Sequence, residues 1–139
     1  MRPLKLTLLA EPLAVCRLSA ADAVPPWASG PGFQSITRAA GELSIVCAAN
    51  RVPPGIHHQP GWRALQVEGP LPFTATGILA AIATPLAAAE VSIFAISTFD
   101  TDYVLVRQSD VQRAAAVLAA AGHHVAGLTS LPPEPPPEP

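Results

Sequence analysis

Two carboxylates two residues apart, Asp100 and Asp102, stand in a polar turn inside the run 96–106, Ile-Ser-Thr-Phe-Asp-Thr-Asp-Tyr-Val-Leu-Val. β-rich residues flank the turn on both sides. Carboxylates so placed can hold an ammonium group through a charge-assisted hydrogen bond. A complementary feature lies upstream, where Thr74-Ala75-Thr76-Gly77 opens an apolar segment of helical period. The first N–H groups of a helix have no partner within it and suit a carboxylate. Gly77 lets such a group approach closely. An amino acid carries both an ammonium and a carboxylate, so the chemistry expected here is binding. The same aspartates also suit a plain hairpin turn, because Asp bonds to nearby backbone. Both readings stand at this point.

A weaker copy of this run occurs sixty residues earlier, at 36–46: Ile-Thr-Arg-Ala-Ala-Gly-Glu-Leu-Ser-Ile-Val. Thr37 aligns with Ser97, and Glu42 with Asp102. Two hairpins in matching register suggest a duplicated unit of about sixty residues.

Other chemistry finds little support. His57-His58 and His123-His124 are adjacent pairs, and neighbours on a strand point to opposite faces. No His-x-x-x-His spacing with an acidic partner occurs, so no metal is expected. There is no nucleophile elbow, phosphate-binding loop or dinucleotide glycine pattern, so no catalytic residue is assigned and no cofactor is expected. Cys16 and Cys47 are the only cysteines and read as buried thiols.

Composition narrows the classes further. The chain has 139 residues, half of them apolar, which is enough for one compact core or two fused small ones. Its net charge is −2 and the arginines are scattered, so nucleic acid is not an expected partner. No apolar run reaches the roughly 18–20 residues of a membrane span. The apolar stretch 6–10 is too short for a signal peptide, and a cytoplasmic protein is expected.

The elements that must position the turn follow from period and punctuation. The run 4–9 alternates as a strand, and 13–18 reads as a second strand hairpinned to it. Segment 20–29 contains Pro25-Pro26-Trp27 and holds at most a short helix. Strands are expected at 33–38 and 43–48 around Ala40-Gly41, then a loop over 50–61. The second half is clearer, with a strand at 62–68, a rigid loop at 69–73 and a helix over 74–89 kinked at Pro85. Strands follow at 91–98 and 103–107. Ser109-Asp110-Val111-Gln112 has capping-box spacing before a second helix, which Gly122 ends. A last strand is expected in 123–128, and 131–139 is a Pro/Glu tail expected to be extended and disordered. Residues 62–128 thus read βαββαβ, the ferredoxin-like order, and 4–61 read as a reduced version. The strand at 91–98 is apolar on both faces, so the other half or another subunit must cover it.

At these residues the chain resembles the ACT-domain proteins, and more narrowly the small tandem-ACT group related to the cytosolic arginine sensors. The resemblance rests on Trp62, Val67, Gly69-Pro70-Leu71-Pro72-Phe73, Gly77-Ile78-Leu79 and the run 91–106. It covers roughly 62–122 well. It implies an α+β fold of tandem ferredoxin-like (βαββαβ) ACT units packed side by side, the first degenerate. The units are expected at 1–61 and 62–128, with the tail at 129–139. The resemblance also implies an amino-acid effector held between ACT units. The segment matching Thr98, Phe99 and Asp102 lines the ligand pocket, and the loop matching Gly69 to Gly77 faces it. The expected ligand-binding set is therefore Gly69, Phe73, Thr76, Gly77, Thr98, Phe99, Asp100 and Asp102. Phe73 and Phe99 also read as core or pocket wall, and Gly69 as a backbone requirement. The expected partners are a small-molecule ligand, a second copy in a homodimer and a regulated protein. Two other readings stay open: a ligand-free dimerisation or interaction module, and a small enzyme on the same fold with a His or Cys in the cleft.

Overall fold

The computed structural model describes residues 3–72 and 74–130. Among the described residues, eight strands and two α-helices form a mixed α+β fold: β1 Lys5–Leu8, β2 Leu13–Leu18, β3 Ser35–Arg38, β4 Leu43–Ala48, β5 His58–Val67, α1 Ile78–Ala88, β6 Ile93–Ser97, β7 Asp102–Arg107, α2 Val111–Ala120 and β8 His124–Ala126. From β5 onward the order is βαββαβ, as the sequence predicts. Residues 131–139, the expected tail, lie outside the described residues, and Leu128–Ser130 form a 3-10 turn.

One sheet carries both halves. β3, β4, β2, β5, β1 and β8 are neighbours in that order, and β7 joins β5 to β6. The expected hairpin between the first two strands is absent. β1 and β2 instead run on end to end along β5, with Leu6 opposite Val67, Leu8 opposite Leu65 and Leu13 opposite Trp62. Pro12 explains the interruption, because it cannot donate to a ladder. The 61/62 division drawn from the sequence falls inside β5, which begins at His58 and borders both halves. A bulge places two β5 residues opposite Ala14, and Gly61 supplies the positive φ of 82° there.

The duplication is visible in the pairing, with a corrected offset. Arg38 opposes Leu43 beside the first turn, as Ser97 opposes Asp102 beside the second. Ala39 N–H donates to Glu42 O at 2.9 Å, and Thr98 N–H to Thr101 O at 2.8 Å. The two hairpins therefore superpose 59 residues apart (97 − 38 and 102 − 43), not sixty. The counterpart of Asp102 is Leu43 and that of Ser97 is Arg38. A one-residue slip matters because it moves every side chain to the other face. Leu13 pairs with Ala48 as Trp62 pairs with Arg107, so the first strands are 49 residues apart. The first unit is thus ten residues shorter between its first and second strands, and a 3-10 turn at Pro26–Ala28 stands in place of a helix. After β4 a 3-10 turn at Ala49–Arg51 leads almost directly into β5 at His58, so the first unit has no room for a counterpart of α2.

Three apolar clusters hold the sheet. The largest packs α1 (Ile82, Leu86) and α2 (Val111, Ala114, Leu118) on Leu6, Leu8, Leu65, Val67, Val104 and Val106. On the first unit, Cys16, Ile45 and Cys47 are covered by Trp27, Ala28, Val52 and Ile56. The third cluster lies on the opposite face, where Leu13, Val46, Trp62, Ala64 and Leu105 meet Phe33, Phe94, Ile96 and Tyr103. It covers the second face of β6, with the first half supplying Leu13, Val46 and Phe33. The Phe33 ring, just before β3, lies 4.6 Å from that of Tyr103 on β7, and residues of β3 and β6 line one groove, so the sheet curls on this side.

Helix ends depart from the sequence reading at two places. The expected helix over 74–89 starts at Ile78, because Gly77 adopts a left-handed φ of 76° and sets the N-cap. The expected capping box at Ser109 does not form. Gln108–Asp110 wind as a 3-10 turn into α2 without a side-chain cap, and Asp110 pairs with Arg113 at 3.2 Å. At the other end of α2, Gly122 has φ 96°, and His123 N–H reaches Leu118 O at 3.0 Å. That is the six-to-one bond of a Schellman cap. The same cap ends α1, with Glu90 at φ 60° in the glycine position.

Candidate functional site

The second hairpin and the start of α1 converge on a cleft of about 340 Å³. From the hairpin it is lined by Ser97, Thr98, Phe99, Asp100, Thr101 and Asp102. The wall opposite is Leu71, Pro72, Ala75, Gly77, Ile78 and Leu79.

Local chemistry fixes the hairpin wall. Thr98 Oγ donates to Thr101 O at 3.1 Å and accepts from Thr101 N–H at 3.3 Å. Thr101 is buried, and its hydroxyl donates to Val67 O at 2.7 Å, tying the turn to the end of β5. The β5–α1 loop is pressed on the same turn. Leu71 N–H donates to Asp100 O at 2.7 Å. A side chain at Gly69 would place its Cβ 3.0 Å from Asp100 O and 3.1 Å from Thr101 Cβ. Gly69 therefore permits close packing of loop on turn and does not itself line the cleft.

Polar groups of opposite character line this space. Ser97 Oγ donates to Asp102 Oδ1 at 2.6 Å, on the helix side of the sheet. Asp100 and Asp102 are the charged side chains among the described lining residues, and no Lys, Arg or His is included. On the other wall, the first main-chain bond into α1 is Ala81 N–H to Gly77 O at 2.9 Å. The N–H groups of Ile78, Leu79 and Ala80 precede it and have no partner within the helix. The helix dipole adds partial positive charge at this end. One wall thus suits a cation and the other an anion. Phe99 stands at the mouth, 78% exposed.

Of the residues expected from the sequence, Gly77, Thr98, Phe99, Asp100 and Asp102 come together here. Gly69 and Thr76 do not line the cleft, and Phe73 lies outside the described residues. Ser97 and Thr101 were not in the expected set. The hairpin register would have found Ser97, since it directly opposes Asp102. Thr101 could not be found in this way, because its partner Val67 is 34 residues distant.

The first unit supplies an internal comparison. Its equivalent hairpin carries Arg38 and the buried Leu43 where the second carries Ser97 and Asp102. The Arg38 guanidinium donates to Ala20 O, and Arg17 donates to Gly41 O at 3.1 Å, so its own side chains close that hairpin. The acidic pair is peculiar to the second copy.

Elsewhere the titratable groups serve the fold. His123 Nδ1 accepts Leu4 N–H at 3.0 Å, joining β1 to the start of β8. Burial pushes the Cys16 thiol up to about 11, reinforced by Cys47, and raises Cys47 as well. Burial lowers Arg63, whose guanidinium donates to Leu9 O and Gln108. Among the described residues no group of three His, Cys, Asp or Glu is placed to hold a metal. No helix among them is long and apolar enough to cross a membrane.

Comparison with known proteins bears on this geometry. A family model for the ACT domain matches residues 57–120, and a separate model of an N-terminal domain matches 11–55. The human cytosolic arginine sensor for mTORC1 subunit 1 is 45% identical over 58 residues, which are 41% of this chain and 18% of the sensor. The chain thus spans under a fifth of the length of the curated relatives it matches. A crystal structure of an Agrobacterium tumefaciens protein is 43% identical with a TM-score of 0.86, covering 90% of this chain and 93% of that one. The aspartate kinase of Clostridium acetobutylicum shares the fold at a TM-score of 0.61 and 16% identity, over 80% of this chain and 33% of that one.

Proposed function

Residues 57–120 belong to the ACT-domain family, and on that premise we propose that the chain is a regulatory protein that binds an amino acid or similar small metabolite in the α1–hairpin cleft. One observation carries this reading: the start of α1, whose first N–H groups have no partner within the helix, and the Asp100/Asp102 carboxylates line one cleft of about 340 Å³. A helix N-terminus on one wall and carboxylates on the other suit a zwitterion. The ligand carboxylate meets the N–H groups of α1 and its ammonium meets Asp102, with Asp100 nearby. Thr98 and Phe99 supply the turn and the rim. Resemblance to a sensor of arginine supports the ligand class. The protein acts in the cytoplasm as a homodimer, and ligand binding alters a surface read by a protein partner, since a ligand shifts only states that it binds differently.

A thermal-shift screen against the twenty amino acids tests this. A ligand at a hundredfold excess over its dissociation constant adds about 2.7 kcal/mol to stability. Asp102→Asn removes one charge-assisted bond, about 1.5–3 kcal/mol, and weakens that ligand ten- to about a hundredfold. The variant still melts cooperatively, because Asp102 lies outside the core clusters. A flat screen with a sharp melt removes the ligand reading and leaves an interaction module.

A further inference from the structure

The curl of the sheet brings two unpaired strand edges to one groove. β3 and β6 are terminal strands among the described residues. Residues of both line a groove of about 550 Å³ floored by Ser44 and Val46. Antiparallel pairs alternate between bonded and non-bonded positions. Counting back from the turn bonds at Ala39–Glu42 and Thr98–Thr101, the main chains of Ser35, Thr37, Phe94 and Ile96 bond inward to β4 and β7. The N–H and C=O groups of Ile36, Arg38, Ile93, Ala95 and Ser97 turn outward. Edge strands are ordinarily blunted by charge, Pro or a bulge. β6 has none of these: the run 91–97 is Val-Ser-Ile-Phe-Ala-Ile-Ser.

We propose that this groove takes one extended strand of a partner protein, hydrogen-bonded to β3 on one side and β6 on the other. Pairing of this kind draws affinity from main-chain bonds and specificity from alternate side chains. The floor fixes those side chains. Val46, Phe94 and Ile96 select β-branched apolar residues on the inward face. Glu42 is the one charged side chain among the described lining residues, so the strand carries a basic residue and no acidic one. The chain's own segment 132–139 fails on both counts, being Pro-Pro-Glu-Pro-Pro-Pro-Glu-Pro. Proline lacks the N–H that the edges need, and glutamate opposes Glu42. A second folded copy offers a strand backed by a sheet, which does not enter a groove walled on both sides. Ser97 belongs to both surfaces: its hydroxyl faces the ligand cleft through Asp102, and its outward main chain faces this groove.

The probe is a capped Lys-Val-Thr-Val-Thr-Val peptide titrated into the full chain, followed by backbone amide NMR and hydrogen exchange. The expected result is saturable binding with slowed exchange at Ile36, Ile93, Ala95 and Ser97. N-methylation of alternate peptide amides weakens it at least tenfold. Ala95→Pro does the same while leaving the melt in place, because an outward N–H on an edge strand is where proline is tolerated. Glu42→Lys supplies a test free of backbone change: the Lys peptide weakens and its Glu counterpart binds more tightly. The proposal is overturned by any of three results. One is no saturation by about 1 mM, the weak end of specific binding. Another is equal affinity of N-methylated and plain peptides. The third is edge amides already protected in the free protein in proportion to its concentration, which assigns the groove to a second copy.

Discussion

Arg63→Met should cost this protein about 2–4 kcal/mol, and the figure follows from one buried guanidinium. Arg63 is 2% exposed in the middle of β5. Its Nε and Nη2 donate to Leu9 O at 3.1 and 2.8 Å, and its Nη1 donates to Gln108 Oε1 at 3.2 Å. Leu9 lies where the chain passes from β1 to β2 and the register along β5 shifts. Hydrogen bonds to charged groups contribute about 1.5–3 kcal/mol each. Opposing their loss, methionine retains most of the apolar stem and removes the desolvation cost of the charge, a cost seen in the lowered pKa of Arg63. The balance falls near the cost of leaving two buried neutral acceptors, Leu9 O and Gln108 Oε1, without this donor, about 1–3 kcal/mol each. For a chain of this size it lowers Tm by roughly 6–15 °C. Lysine should recover less than half of the loss, because it lacks the planar fork that grips one carbonyl twice. Urea unfolding of wild type, Arg63→Met and Arg63→Lys measures all three values. A loss under about 1 kcal/mol with an unchanged m-value would refute the reasoning and leave β5 held by packing alone.

Two further outcomes follow from a helix cap and a buried thiol. Glu90→Gly should stabilise by about 0.5–1 kcal/mol, because glycine adopts the φ of 60° at the α1 cap without a Cβ penalty; an unchanged or lower midpoint in urea counts against the cap. Stability should also fall as pH rises from about 9 towards 11. The folded state keeps the Cys16 proton to about 11 while the unfolded chain releases it near 9.0, so the unfolded state binds fewer protons in that window. The loss approaches about 2–3 kcal/mol at full deprotonation. Cys16→Ala should flatten that slope whatever its effect at neutral pH, and an equally steep slope in the variant assigns the titration elsewhere.

How far the sequence reached differs by element. Period alone located both helices to within a few residues, and turn chemistry located both hairpins. Local pattern suffices there because the signals (Gly122 after an apolar stripe, alternation around Ala40-Gly41) act over one or two turns of chain. The same locality explains the errors. Sequence pattern starts the helix at 74, four residues early, because the left-handed conformation of Gly77 cannot be read from composition. Capping-box spacing at Ser109 was overridden by Asp110 pairing with Arg113 in a 3-10 approach to α2.

The site divides along the same line. Residue types determined that Asp100, Asp102 and a helix start could serve an amino acid, and resemblance added Thr98 and Phe99. Only tertiary structure decided that they share a cleft, because hairpin and helix are brought together by Leu71 bonding to Asp100 and Thr101 bonding to Val67. It also decided the true alignment of the repeat. A shift of one residue leaves the letters of two hairpins looking alike but exchanges their faces, so Asp102 answers to buried Leu43 and not to Glu42. Above all, the path of residues 5–18 along β5 is a matter of long-range pairing. The paired residues there lie 42 (Cys16 and His58) to 61 (Leu6 and Val67) positions apart in sequence, and no local propensity encodes which distant edge a strand will find.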